Sequence, residues 1–208
     1  MRETRQSRRC QCWLEKIKAQ RLAEIPDRFR DIATGKLRLA QLQAKGPRQE
    51  FALRSLRSDH HQNCLFWGPT GSGKTFLGYL LYRQAVEENR VVTAISTLEL
   101  IQQYRKEIER RGKEPDGAWS PKITPERLKT ADRKHFILLD EFTNVNVTTF
   151  VSERVFELVD AIYQNGHQVV ITSQYPPDEV RQIWSRADPS FGEAIARRVI
   201  AMCASFGL

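Results

Sequence analysis

The chain has 208 residues, of which 40% are hydrophobic and 28% are charged, with a formal net charge of +8. This length suffices for one α/β domain with a short appendage, and no apolar run is long enough to span a bilayer. The N-terminus lacks the apolar core of a signal peptide, and four scattered cysteines do not suggest a disulfide framework, so we expect a cytoplasmic protein.

The positive charge is concentrated at the N-terminal end. Residues 1–50 hold 13 Lys and Arg against 6 Asp and Glu, whereas the remainder holds 20 against 19. A basic arm suggests a nucleic acid or an acidic protein partner, although a solvated charged tail explains it equally well. Helix is predicted from about Cys12, and Gly46-Pro47 is the best hinge candidate. We therefore predict a basic, largely helical leader over residues 1–47 and a second domain over residues 48–208.

From Asn63 onward, short apolar strands alternate with helices, a pattern that predicts a doubly wound parallel sheet. The predicted strands cover residues 64–67, 91–95, 136–139 and 168–173. Helices are predicted over residues 48–58, from the loop after the first strand to about residue 88, over 98–111, from 124, over 152–165 and over 192–204. The helix over residues 48–58 is expected to direct Phe51, Leu53 and Leu56 into the domain.

A glycine-rich loop follows the first strand and opens the next helix. It fits the pattern G-x-x-x-x-G-K-[ST] and consists of Gly68, Pro69, Thr70, Gly71, Ser72, Gly73, Lys74 and Thr75, with Phe76 next on the helix. The glycines let successive N–H groups converge on phosphate oxygens, and the helix N-terminus adds partial positive charge. Lys74 would reach the β- and γ-phosphates, and the Thr75 hydroxyl would bind Mg²⁺. The loop therefore predicts binding of ATP with Mg²⁺.

The strand over residues 136–139 ends in two acids. Asp140 lies at its carboxyl end, where a Walker B aspartate holds Mg²⁺. Glu141 follows directly and could polarise the attacking water as a general base. Together with the loop at residues 68–75, this pair predicts ATP hydrolysis.

The ordered set of motifs resembles the DnaC/IstB branch of AAA+ ATPases, which includes bacterial replicative helicase loaders and transposition helper ATPases. The residues that carry the resemblance are Ile-Pro-Asp-Arg-Phe-Arg at 25–30, the loop at 68–75, and the segments 137–141, 152–160 and 170–174. It covers nearly everything from Ile25 onward. It implies a P-loop NTPase fold of AAA+ type, with a parallel sheet flanked by helices and no C-terminal lid domain.

The resemblance also implies roles for residues near the γ-phosphate. Gln174, with Ser173 beside it, occupies the sensor 1 position that Asn or Asp usually holds. Arg198 aligns best with the family's arginine finger, and the adjacent Arg197 is the alternative. Such a finger neutralises charge on the γ-phosphoryl group of a neighbouring subunit, so the resemblance implies a homo-oligomer.

The helix over residues 98–111 matches the position of an extra helix that faces single-stranded DNA in this branch. Its candidate DNA contacts are Tyr104, Arg105, Lys106, Arg110 and Arg111, which combine an aromatic ring with cations. Glu99, Glu107 and Glu109 lie on the same helix, so a solvated face of mixed charge remains an alternative.

Loaders of this type often carry a zinc module built from two cysteine pairs. Cys10 and Cys12 resemble the second pair, but the first pair is missing. Two ligands do not close a tetrahedral zinc site, and His60 and His61 could complete it only if the leader folded back. We therefore expect no zinc.

Three functions remain open at this point. The leading interpretation is a helicase loader that acts on single-stranded DNA and contacts a replicative helicase through its basic leader. The alternative within the branch is an IstB-type helper that assembles on duplex DNA and serves a transposase. Gln174, in place of Asn or Asp, favours a third possibility, a nucleotide-dependent switch with negligible hydrolysis.

Overall fold

The computed structural model describes residues 11–110 and 121–208. The strands are β1 (Cys64–Trp67), β2 (Val91–Ser96), β3 (His135–Asp140), β4 (Gln168–Ser173) and β5 (Ala204–Gly207). The helices are α1 (Gln11–Leu22), α2 (Arg30–Ala33), α3 (Pro47–Ser58), α4 (Lys74–Glu87), α5 (Thr97–Arg110), α6 (Pro125–Lys129), α7 (Thr149–Asn165), α8 (Pro177–Trp184) and α9 (Pro189–Met202). Short 3-10 turns occupy Asp27–Phe29 and Leu39–Gln41.

The strands form one parallel sheet in the order β2-β3-β4-β1-β5. This confirms the predicted parallel sheet flanked by helices. All pairs run parallel, so β1, β3 and β4 end at the same edge. The glycine-rich loop, the Asp140–Glu141 pair and Gln174 all follow these strand ends. The fold therefore brings three separate motifs to one edge of the sheet.

Strand β5 and helix α8 were not predicted. The helix expected to extend to residue 204 ends at Met202, and the chain continues into β5 beside β1. Ala204 N–H donates to the Asn63 carbonyl at 2.9 Å, and Leu208 N–H donates to the Trp67 carbonyl at 2.8 Å. Four residues are too few to show the alternating pattern that predicts a strand. This segment is a strand because it pairs with β1. Helix α8, also unpredicted, begins at Pro177.

Apolar side chains cover both faces of the sheet. Several residues that precede α3 belong to one of these clusters: Ile25, Ile32 and Leu39 are buried together with Leu56 and Leu80. The domain boundary at residue 47 thus stays a prediction, and the segment before it contributes side chains to the core.

The structure places one side chain of α3 differently from the prediction. Leu53 and Leu56 are buried as predicted, but Phe51 is 65% exposed. Its ring lies at the edge of the sheet, with its centroid 5.9 Å from that of Phe206. Phe51 and Phe206 therefore form an aromatic pair between α3 and β5.

Helix α1 is attached to the α4 side of the fold by polar contacts. Lys18 Nζ donates to the Glu87 carbonyl at 3.0 Å, and the Tyr82 hydroxyl donates to the Arg21 carbonyl at 3.3 Å. Trp13 on this helix is 42% exposed. None of the helices within residues 11–110 and 121–208 combines the length and apolar character needed to cross a bilayer.

Candidate active site

The glycine-rich loop connects β1 to α4 through backbone conformations that suit glycine. Gly68 has φ of 145° and Gly73 has φ of 97°, in the region that residues with a Cβ rarely adopt. A Cβ on Gly68 would lie only 2.4 Å from the Leu208 carbonyl oxygen. The loop can therefore follow this path only with glycine at position 68, and α4 begins immediately afterwards at Lys74.

Lys74 follows the last glycine of the loop, and its side chain extends back to the start of the loop. Its Nζ donates to the carbonyl oxygens of Gly68 at 2.8 Å and Pro69 at 2.7 Å. Burial lowers the pKa of Lys74, and the nearby Asp140 carboxylate opposes this effect. Lys74 thus places a cation at the N-terminus of α4, where the helix dipole also favours bound phosphate.

Two motifs that are distant in sequence meet through Thr75 and Asp140. Thr75 Oγ1 donates a hydrogen bond to Asp140 Oδ1 at 2.8 Å. A hydroxyl and a carboxylate are the oxygen donors that Mg²⁺ prefers beside the phosphates of a nucleotide. The chemistry of this donor set therefore fits a magnesium ion held by Thr75 and Asp140.

Glu141 has a constrained position directly after β3. Its φ is 53°, which is uncommon for a residue other than glycine. Its backbone N–H donates to Thr172 Oγ1 at 2.9 Å, and its Oε2 accepts from Asn144 Nδ2 at 3.0 Å. The carboxylate is exposed and borders the cavity beside the loop. Glu141 can therefore reach a water molecule next to a bound phosphate.

A cavity of about 330 Å³ lies beside the loop and Glu141, and Asp140 is not among its lining residues but hydrogen-bonds to Thr75, which is. Its lining consists of Arg28, Phe29, Thr70, Gly71, Gly73, Lys74, Thr75, Phe76, Glu141, Thr143, Asn144, Thr172, Ser173 and Gln174. The predicted residues Lys74, Thr75, Glu141 and Gln174 share this space. Gln174 is exposed at its edge.

Sequence reasoning assigned no role to five of the lining residues, namely Arg28, Phe29, Thr143, Asn144 and Thr172. The first two belong to the motif at residues 25–30, which offered a signal. The Phe29 ring lies 6.0 Å from the Phe76 ring and 5.5 Å from the Tyr79 ring, measured between centroids. Phe29 and Phe76 line the cavity and give it an aromatic wall, and Tyr79 packs behind Phe29.

Arg198 makes contacts within its own chain. Its Nε donates to Asp160 Oδ1 at 2.6 Å, and its guanidinium lies 4.7 Å from the centroid of Phe156. Arg197, the alternative finger, is exposed on the same helix. The structure thus holds Arg198 against α7, and a role in a neighbouring subunit requires exchange of the Asp160 contact.

The predicted DNA-binding face of α5 needs one correction. Tyr104 is only 5% exposed, because it lies on the same helical face as Leu100 and Ile101 and packs into the core with them. The prediction that DNA bases stack on Tyr104 is therefore wrong, because the ring is buried. Arg105 and Lys106 are exposed and Arg110 is half-buried, whereas Arg111 lies outside the described residues.

His60, His61 and Glu88 form a cluster that does not line this cavity. His60 Nε2 lies 2.8 Å from Glu88 Oε1, and His61 Nδ1 lies 3.8 Å from Glu88 Oε2. The Arg90 guanidinium is 3.3 Å from His61 Nδ1, so a cation already occupies the space next to this ring. Cys12 is exposed, and Cys10 lies outside the described residues. The absence of zinc stays a prediction.

Comparisons with known proteins agree with the fold and the loop. The family described as IstB-like ATP binding protein matches residues 3–206. A curated protein of Sinorhizobium fredii, y4uH, named as an insertion sequence ATP-binding protein, is 25% identical over 140 residues, which are 67% of this chain and 51% of y4uH. This chain thus spans about half the length of that relative.

Solved structures show the same architecture. A crystal structure of the DnaC helicase loader has a TM-score of 0.65 at 19% identity, over 88% of this chain and 99% of that one. The replication initiator DnaA, bound to AMPPCP and single-stranded DNA, has a TM-score of 0.61 at 14% identity, over 83% of this chain and 50% of that one. Given the family match across almost the whole chain, this protein belongs to the IstB-like ATP-binding family, of the DnaC/IstB AAA+ type.

Proposed function

We propose that this protein is a Mg²⁺-dependent ATPase that assembles on DNA and helps to deliver a replicative helicase. The observation that carries the proposal is that Lys74, Thr75 and Glu141 line one cavity at the edge of the sheet, with Asp140 hydrogen-bonded to Thr75. A phosphate-binding loop alone would support binding. The acid pair next to it supports hydrolysis as well.

Each group has a distinct part in the proposed reaction. The amides of the loop and Lys74 hold the phosphates, while Thr75 and Asp140 hold the magnesium ion. Bound Mg²⁺ supplies positive charge that neutralises charge developing on the phosphates. Glu141 accepts a proton from the attacking water, and the exposed position of its carboxylate permits this. Gln174 borders the cavity and is the proposed sensor of the γ-phosphate.

The aromatic wall is the proposed site of the nucleotide base. Phe29 and Phe76 line the cavity, and their rings offer an apolar surface for a planar base. Arg28 lies with its guanidinium carbon 4.8 Å from the centroid of the Phe29 ring. The segment before α3 would therefore sense whether ATP is bound.

Two exposed surfaces support a role on DNA with a protein partner. Arg105 and Lys106 on α5 offer cations for phosphate contacts, which give salt-dependent binding without sequence preference. Helix α1, with exposed Trp13, is the proposed contact for the helicase. In this proposal ATP controls when the protein holds and when it releases these partners.

A second candidate function is that of a transposition helper that assembles on duplex DNA. The specific observation in its favour is the similarity to y4uH, whose name refers to an insertion sequence. The catalytic chemistry would be the same in both cases. The partner and the form of DNA would differ.

The rate of ATP hydrolysis with and without DNA tests the proposal. We expect turnover that single-stranded DNA stimulates more strongly than duplex DNA does, with the stimulation declining as salt rises. Stronger stimulation by duplex DNA would favour the transposition helper. Tight ATP binding without turnover in any condition would contradict the proposed ATPase and leave a nucleotide switch.

The arginine finger is proposed to act between subunits. We expect Arg198→Ala to retain ATP binding and to reduce DNA-stimulated hydrolysis by about 10³-fold, because finger residues contribute about 10³–10⁵ to turnover. Arg197→Ala is the neighbouring control and should reduce it less than about tenfold on the same principle. The side chains of Arg198 and Asp160 are only 16% and 27% exposed, so in the finger role a phosphate of the neighbouring subunit must replace a partly buried ion pair.

Mixing two inactive variants shows whether the finger acts in trans. Glu141→Gln subunits keep Arg198, and Arg198→Ala subunits keep Glu141, so mixed oligomers should recover part of the hydrolysis that each variant lacks alone. If mixing restores nothing, the finger does not act between subunits.

The single variants also decide which arginine is the finger. Loss of stimulation in Arg197→Ala, with full activity in Arg198→Ala, would assign the finger to Arg197.

A further inference from the structure

We propose that Thr172 is a positioning residue that sets both acidic groups of the site, the Asp140 carboxylate and the backbone of Glu141. The proposal rests on the proposed ATPase function, and it concerns a residue of β4 that lies between the sensor 1 segment and the Walker B pair. Thr172 is buried, at 1% exposure, and its hydroxyl makes hydrogen bonds with the Asp140 carboxylate and with the backbone N–H of Glu141.

The first contact orients the carboxylate that is proposed to hold magnesium. Thr172 Oγ1 donates to Asp140 Oδ1 at 2.6 Å, and Thr75 Oγ1 donates to the same oxygen at 2.8 Å. The hydroxyl groups of one residue in α4 and one in β4 therefore both donate to the same oxygen of the Asp140 carboxylate. This arrangement limits rotation of the carboxylate and leaves Oδ2 as the oxygen that neither hydroxyl uses.

The second set of contacts fixes the turn that carries the general base. Glu141 N–H donates to Thr172 Oγ1 at 2.9 Å, and Phe142 N–H donates to the Thr172 carbonyl at 2.8 Å. Glu141 has a φ of 53°, a backbone conformation that persists only when surrounding contacts enforce it. Thr172 provides two of these contacts, one from its side chain and one from its main chain.

The positioning role of Thr172 needs a side-chain group that can donate one hydrogen bond and accept another. A hydroxyl does both, so threonine and serine can each donate to Asp140 and accept from Glu141. Valine has nearly the same shape as threonine but would leave the Glu141 N–H without its partner. Replacing Thr172 by valine or serine therefore separates the effect of the hydroxyl from the effect of side-chain volume.

The test compares Thr172→Val and Thr172→Ser with the wild-type protein. The matched control is Thr93→Val, the same exchange at a buried threonine of β2 that does not line the cavity. Binding of a fluorescent ATP analogue is titrated with and without MgCl₂, and hydrolysis is measured across a range of MgCl₂ concentrations. Binding provides a readout that does not depend on turnover.

We expect Thr172→Val to bind the analogue normally without magnesium. The MgCl₂ concentration that gives half of the magnesium-dependent gain in binding should rise by about 10- to 100-fold, the usual effect of losing a group that orients a metal ligand. Turnover should fall as well, since the turn at Glu141 loses an anchor. Thr172→Ser should recover most of both properties, and Thr93→Val should resemble the wild type.

The proposal is overturned if Thr172→Val keeps the wild-type magnesium requirement in binding. It is equally overturned if Thr93→Val shows the same shift, because the effect would then follow from the loss of any buried hydroxyl. If the wild-type protein binds ATP but shows no turnover, the proposed ATPase function fails, and the magnesium dependence of binding still decides the role of Thr172.

Discussion

Lys74→Ala is expected to weaken ATP binding by about 10- to 100-fold. A charge-assisted hydrogen bond to phosphate contributes about 1.5–3 kcal/mol, and each 1.4 kcal/mol corresponds to a tenfold change in affinity. Lys74 also ties the loop together through the carbonyl oxygens of Gly68 and Pro69, so the variant loses order in the loop as well as charge. Equilibrium titration with a fluorescent ATP analogue measures the change.

Lys36→Ala is a suitable control for this experiment. Lys36 is an exposed lysine outside the cavity, so its removal changes the net charge by the same amount without touching the loop. Its affinity for the analogue should stay within about twofold of the wild type, because the long-range effect of an exposed charge is screened by salt. Equal losses in Lys36→Ala and Lys74→Ala would show that net charge, and not the loop lysine, supports binding.

Glu141→Gln is expected to separate binding from turnover. Glutamine has nearly the same shape as glutamate but cannot accept the proton of the attacking water. Its side-chain oxygen can still accept from Asn144, so the local structure should persist. We expect unchanged ATP affinity and a loss of about 10²–10⁴-fold in the rate of hydrolysis, the usual contribution of a general base. Binding and steady-state turnover are measured on the same preparation.

Glu179→Gln makes the same exchange at an exposed glutamate of α8, outside the cavity, and should hydrolyse ATP at the wild-type rate. Full turnover in Glu141→Gln would remove Glu141 from the role of general base. A loss of ATP affinity equal to its loss of turnover would instead point to a structural role for the carboxylate in nucleotide binding.

Two errors in the sequence-based predictions, at Tyr104 and Phe51, have a common physical origin. Tyr104 was predicted to contact DNA because its helix resembles the DNA-facing helix of the family, yet in α5 the ring packs into the core together with Leu100 and Ile101. Phe51 was placed in the core and lies exposed at the edge formed by β5. In both cases the helix was predicted correctly, and its rotation depended on which elements pack against it.

The sequence by itself determined the parallel sheet and predicted the candidate residues for phosphate binding, because the loop at 68–75 and the pair Asp140–Glu141 are contiguous and follow apolar strands. Only the tertiary structure decided the contacts between these motifs. Thr172 reaches Asp140 because β4 lies beside β3, and Arg198 reaches Asp160 because α9 packs on α7. Such contacts depend on strand order and helix packing, which residues distant in sequence establish together.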